Sequence, residues 1–171
     1  RALGILGRPE EARKALEEAL ERAPDDPLAA LAMGRFRQAE AEAIWADLPK
    51  APEDLESHRA LEAFMENALK EYPGDPDVIQ VREALKRAQK GWGDAEAAFQ
   101  RVLLSPPLPN RVETQTRDRT LAMALEHLGS LATRQGDLQK ALRYLRLSLV
   151  LNPDQPGIKA FLEAYTEAPR P

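Results

Sequence analysis

The sequence predicts an all-α protein, a solenoid of helix–turn–helix units with about eight helices. Three observations carry that expectation. Of 171 residues, 43% are hydrophobic and 30% charged but only 5% aromatic, so the apolar bulk is Ala and Leu rather than the aromatic set that sheets favour. Apolar residues recur at i, i+3, i+4 and i+7 in one stretch after another, which is the period of an amphipathic helix. Finally, Gly7, Gly93 and Gly136 each punctuate such a pattern, at spacings of 86 and 43 residues, so related but irregular units follow one another. A single helical hairpin cannot bury its apolar stripe, and stacking against neighbours of the same kind solves that problem.

In chain order, residues 1–24 read as a partial unit cut from a longer array. Residues 1–6 form the tail of a first helix, Gly7 the turn, and Pro9 the first position of a second helix striped by Ala12, Ala15, Leu16, Ala19 and Leu20. Residues 26–73 form an elongated unit. Asp26-Pro27 is a start signal, an N-cap acceptor followed by proline, and the helix runs through Ala39, Ala43, Ile44, Trp45 and Leu48 until Pro49 and Pro52 break it. Leu55, Leu61, Phe64, Met65, Ala68 and Leu69 then stripe a second helix that closes at Tyr72-Pro73. The surplus length lies in the long first helix and a loop over 48–53.

Asp75-Pro76 repeats the start signal and opens a degenerate unit, 75–105. Val78, Val81, Leu85 and Ala88 stripe its first helix, Gly93-Asp94 is expected to turn, and Ala95, Ala98, Phe99 and Val102 stripe its second. Residues 106–119 contain three prolines and mixed charge, and so are expected to form an exposed loop leading into an early helical turn. Residues 120–153 make the most regular unit: Leu121, Ala124, Leu125, Leu128 and Ala132, a break at Gly136, an N-cap at Asp137, then Leu138, Ala141, Leu142, Leu145 and Leu149 up to Asn152-Pro153. A capping helix over 156–168, with Ile158, Phe161, Leu162 and Tyr165, completes the expectation.

The last hairpin resembles a tetratricopeptide repeat, a helix–turn–helix unit of 34 residues. The Leu-Gly pair of the family's first helix stands at Leu128-Gly129, its following small residue at Ala132, its Gly-Asp turn at Gly136-Asp137, its second-helix small residue at Ala141 and its closing proline at Pro153. Leu125 replaces the family's Trp, Leu145 its packing aromatic, and Ser148 its last small residue. Met33-Gly34 stands where another Leu-Gly pair belongs. The resemblance covers nearly the whole chain, strongly at 1–34 and 118–156.

That resemblance implies a right-handed solenoid and a non-catalytic scaffold whose first helices line a concave face and contact a partner protein, whether peptide, helix or domain. By register, the contacting positions are Arg35 and Gln38 in the elongated unit, Gln80, Glu83, Arg87 and Lys90 in the degenerate one, and Met123, Glu126, His127, Ser130, Thr133 and Arg134 in the last. Arg87, Lys90 and Arg134 would then form a basic strip that attracts an acidic peptide or carboxylate. Trp45 on the elongated helix is a further contact candidate if exposed. Similar irregular arrays serve in bacterial exopolysaccharide synthesis and export, recruiting a modifying enzyme or touching the polymer in the periplasm, and this is the alternative expectation.

Other chemistry finds little support in the residues. His58 and His127 stand in no metal-ligand spacing, and Ser57-His58 point apart on a helix rather than forming a nucleophile and base. Gly91-Trp92-Gly93 lacks the preceding strand and the third glycine of a dinucleotide loop. No catalytic residue, metal or cofactor is therefore expected. A net charge of −4 gives no reason to expect nucleic acid, and no run is apolar for long enough to cross a membrane. Zero Cys excludes disulfides and thiol chemistry but fits any compartment. An Arg-rich, Ala-rich composition suggests a bacterial source, with periplasm and cytoplasm both open. Apolar surface left at the N-terminal edge would favour self-association.

Overall fold

A computed structural model describes residues 8–48, 58–105 and 111–167, and those residues form seven α-helices and no strand. They are α1 (Pro9–Arg22), α2 (Pro27–Ala46), α3 (His58–Glu71), α4 (Pro76–Leu103), α5 (Arg111–Arg134), α6 (Leu138–Leu151) and α7 (Pro156–Glu167). The all-helical class is as expected. The expected helix tail over 1–6 and turn at Gly7 lie outside the described residues. So do the proline breaks at Pro49 and Pro52, Leu55, and the stretch 106–110.

Start signals behave as their chemistry dictates. The Asp26 carboxylate accepts from the backbone N–H of Leu28 at 2.8 Å and of Ala29 at 3.4 Å, and Pro27 needs no donor partner in the first turn. Asp75 does the same for Asp77 and Val78 at the head of α4, at 2.9 and 3.4 Å. Between α5 and α6, Gly136 takes a left-handed φ of 76°. Its N–H reaches the Thr133 carbonyl at 3.0 Å and the Asp137 N–H reaches Ala132 at 2.9 Å, the paired bonds of a Schellman turn. Asp137 then caps α6 through the Lys140 N–H at 3.0 Å.

Two expectations are corrected. Gly93-Asp94 does not turn: α4 is one helix of 28 residues that runs straight through it. The buried residues explain why, since Leu85, Ala88, Trp92, Ala95, Phe99 and Val102 alternate spacings of three and four across the glycine, and one stripe in phase favours one continuous helix. Gly91 serves packing instead: a Cβ there would sit 2.9 Å from the Ala41 Cβ, so its absence lets α4 close on α2. Likewise, 111–119 is not loop but the first turns of α5. No proline follows Pro109 until Pro153, and the Arg, Glu and Gln that made the segment look solvated are good helix formers. Arg117 ties it down by donating to the Ser105 carbonyl at 3.1 Å.

The long α4 changes the connectivity of the array. Its C-terminal part, not α3, is the main packing partner of α2. Gly34 of α2 lies under Phe99, where a Cβ would fall 2.5 Å from the ring, and Ala41 meets Gly91 further along, so the helices run antiparallel. In the α5–α6 hairpin Gly129 plays the role of Gly34, with a Cβ position 2.7 Å from the Leu145 side chain. The main core joins α2, the C-terminal part of α4, and α5 through Leu31, Ala41, Trp92, Phe99, Ala124 and Leu128. A second, small core of Met65 and Leu85, flanked by Trp45, Leu48, Val78 and Val81, docks α3 on the N-terminal part of α4. A third joins α6 to α7 through Leu145, Ile158 and Leu162.

Candidate functional site

The residues that meet across the array come from α2 and α5, the first helices of the two hairpins. His127 projects from α5 and stacks its ring on Phe99, with centroids 4.8 Å apart and planes within 4° of parallel. Its Nδ1 lies 2.9 Å from the Gln38 Oε1. Gln38 in turn donates from Nε2 to the Glu42 carboxylate at 3.0 Å, which fixes its amide so that Oε1 faces the imidazole. Nδ1 must then carry the proton, leaving Nε2 as an acceptor. Arg134 closes the chain by donating to the same Glu42 oxygen at 3.1 Å. A continuous polar line therefore runs His127–Gln38–Glu42–Arg134 and binds one hairpin to the next.

Electrostatics favour the neutral form of the imidazole. Burial pushes the His127 pKa below its ordinary value, nearby Arg35 pushes it further down, and Glu42 opposes them. Gln38 is itself buried, so its two hydrogen bonds satisfy groups that water does not reach. Between α4 and α6, Lys140 donates to Glu96 at 2.7 Å, and that hydrogen bond raises its pKa against a smaller opposing effect of burial.

Beside the polar line, a groove of about 580 Å³ opens between α5 and α7. Glu126, Ser130, Thr133 and Arg134 form its polar wall, while Leu145, Ile158 and Phe161 form an apolar floor and far side. Gln155 lines it too, held in place by donating to the Asn152 carbonyl at 2.7 Å and to Ser148. The arrangement offers charge, hydroxyls and apolar surface to an elongated ligand.

Of the positions read from sequence, Arg35, Gln38, His127 and Arg134 come together at the polar line, and Glu126, Ser130 and Thr133 with Arg134 at the groove. Met123 is part-buried against the main core. Gln80, Glu83, Arg87 and Lys90 are exposed on the N-terminal part of α4, and none touches the polar line. Their register assumed a first helix ending at Gly93, which the continuous α4 removes; Glu83 instead pairs with Lys86 at 3.1 Å. Of the expected basic strip, Arg134 pairs with Glu42 at 3.1 Å, while Arg87 and Lys90 are exposed on α4. Trp45 is part-buried, with its ring centroid 5.5 Å from that of Trp92, and anchors the base of α3 and α4.

Sequence reasoning missed Glu42, although it lies four residues after Gln38 and so on the same helix face. It also missed Gln155 and Phe161, because α7 read as a cap and not as a groove wall. The described residues hold no group of three or more His, Cys, Asp or Glu that could bind a metal ion. No helix among them is long and apolar enough to cross a membrane.

Residues 1–36 match the family model described as tetratricopeptide repeat. That stretch includes α1 and the first half of α2, one of the two regions where the resemblance is strongest. No curated protein and no solved structure matches the chain.

Proposed function

We propose that this chain, a tetratricopeptide-repeat protein by its match over residues 1–36, is a non-catalytic scaffold that seats an extended or helical segment of a partner protein in the groove between α5 and α7. Repeats of this family generally mediate protein–protein interaction, and the observation that carries the reading here is the groove itself. Its apolar floor of Leu145, Ile158 and Phe161 supplies contact area, and its wall of Glu126, Ser130, Thr133 and Arg134 supplies direction. The elongated α2 contributes by fixing that wall, since Glu42 accepts from Arg134 at 3.1 Å. A wall set in advance binds with less ordering cost than a flexible one.

The test is a pull-down from native extract on the immobilised protein, with bound species identified by mass spectrometry, beside Ser130→Lys/Phe161→Ser. One dominant protein that the variant fails to retain supports the reading. The same protein held equally well by the variant moves the site off the groove.

A further inference from the structure

The outer face of α6 is not used by the groove. Helix α6, LQKALRYLRLSLVL, has three basic residues and no acidic one, in a chain with 28 acidic and 24 basic residues. Its inner face carries Ala141, Leu145 and Ser148 into the core. On the opposite face, within about one-quarter of the helix circumference, stand Arg143, Arg146, Leu147 and Val150. Leu147 is 53% exposed and Val150 76% exposed. Lys140 is taken up by Glu96, but Arg143 and Arg146 make no ion pair or hydrogen bond among the described residues. Two exposed aliphatic side chains therefore stand beside two uncommitted guanidinium groups on one face of a rigid helix.

We propose that this face is a second docking surface, which takes an acidic amphipathic segment of a partner protein. Charge complementarity selects the occupant. Guanidinium forks pair bidentately with carboxylates, and Leu147 and Val150, one turn apart, offer the ridge against which one helix packs on another. A second copy meeting the same face across a two-fold axis would set Arg143 and Arg146 against their own equivalents, a repulsive arrangement. An anionic membrane would need a wide apolar face, and this one has two aliphatic residues. The surface lies on the second helix of its hairpin, whereas the groove is walled by the first helix and α7, so the two can be occupied independently.

The experiment titrates the intact chain into a fluorescein-labelled synthetic peptide carrying Glu and Leu at helical spacing, and reads anisotropy. A companion peptide with Lys in place of Glu, vesicles of phosphatidylcholine and phosphatidylserine, and light scattering of the protein alone run alongside. The expected result is binding of the acidic peptide only, weakened about tenfold by Arg143→Glu/Arg146→Glu and by added salt. Leu147→Ser/Val150→Ser should also weaken it, and Ser130→Lys/Phe161→Ser in the groove should not. All four outer residues are exposed, so circular dichroism of both outer-face variants should match the parent. Failure of the acidic peptide to bind, or binding unchanged by the outer-face substitutions, overturns the proposal. So does vesicle binding, or self-association, that the same substitutions abolish while the peptide stays free.

Discussion

The hairpins α5–α6 and α2–α4 solve one packing problem with two different connections. In the first, Gly129 accepts Leu145 across the interface, and the chain reverses within a few residues at Gly136. In the second, Gly34 accepts Phe99 in the same way, yet the partner helix arrives only after α3 and the first half of α4. The α2–α4 pair has no direct turn and an arm stands between its halves, while the same kind of glycine-to-large-residue interface is kept. Packing of small residues against large ones thus specifies the pair, and the connection is free to vary, as slow growth of loop entropy with length allows.

The largest expected effects test whether the shared interface outweighs the connection. Phe99→Ala removes a fully buried ring that touches both Gly34 and His127, and should lower unfolding free energy by about 3–5 kcal/mol in denaturant titration. Leu145→Ala, at the equivalent interface, should cost less, about 2–3 kcal/mol, because the residue is smaller and faces the groove. A reversed order would break the comparison. Next comes Gly34→Ala, whose methyl meets a ring pinned by His127; a loss of about 1–3 kcal/mol is expected, exceeding that of Gly129→Ala, where the Leu145 end can shift.

Met65→Ala should sharpen the contrast in another way. Met65 and Leu85 are the buried centre of a small core that holds α3 on the N-terminal part of α4, beside the end of α2. Hydrogen exchange should therefore accelerate in α3 with little change in α5 and α6, since small satellite cores open locally. Uniform acceleration through all helices would show that the arm and hairpins unfold as one.

Smaller still is the polar line between the hairpins. Arg134→Ala removes a pair whose partners are both more than one-third exposed, so about 0.5 kcal/mol is expected. The pH dependence has a definite sign. His127 binds protons less readily folded than unfolded, so its contribution declines as pH falls below about 6.5 and levels off below the depressed folded value. Thermal melts across that window should show a steeper acid decline in the parent than in His127→Gln. Parallel declines would remove the imidazole from the account.

How far the sequence discloses this structure follows from the same comparison. The capping signals at Asp26, Asp75 and Gly136-Asp137 were legible because each is a local bond between a side chain and nearby backbone. The second hairpin was not, because its halves are far apart in sequence and Gly93-Asp94 looks like the turn that Gly136-Asp137 is. Only the phase of Leu85, Ala88, Trp92, Ala95, Phe99 and Val102 distinguishes them, and that phase is readable in the sequence once both sides of the glycine are counted together. For the site, positions on α2 and α5 came together because each belongs to a first helix. The α4 positions did not, since their register depended on a turn that is absent, and the α7 wall depended on tertiary packing that no local pattern encodes.

The opened hairpin is tested most directly by closing it. Removing residues 41–92 joins Glu40 to Gly93, so that Gly34 and the Gly93-Asp94 pair acquire the spacing of Gly129 and Gly136-Asp137. The measurement is thermal unfolding of that shortened chain followed by circular dichroism, with the Phe99–His127 contact read by nuclear Overhauser effects between their rings. A cooperative helical melt with the contact kept is the predicted result, with Gly93 now turning. A shortened chain that melts without cooperativity, or that folds without bringing Phe99 to His127, would contradict the claim that α2 and the end of α4 are the two halves of one repeat.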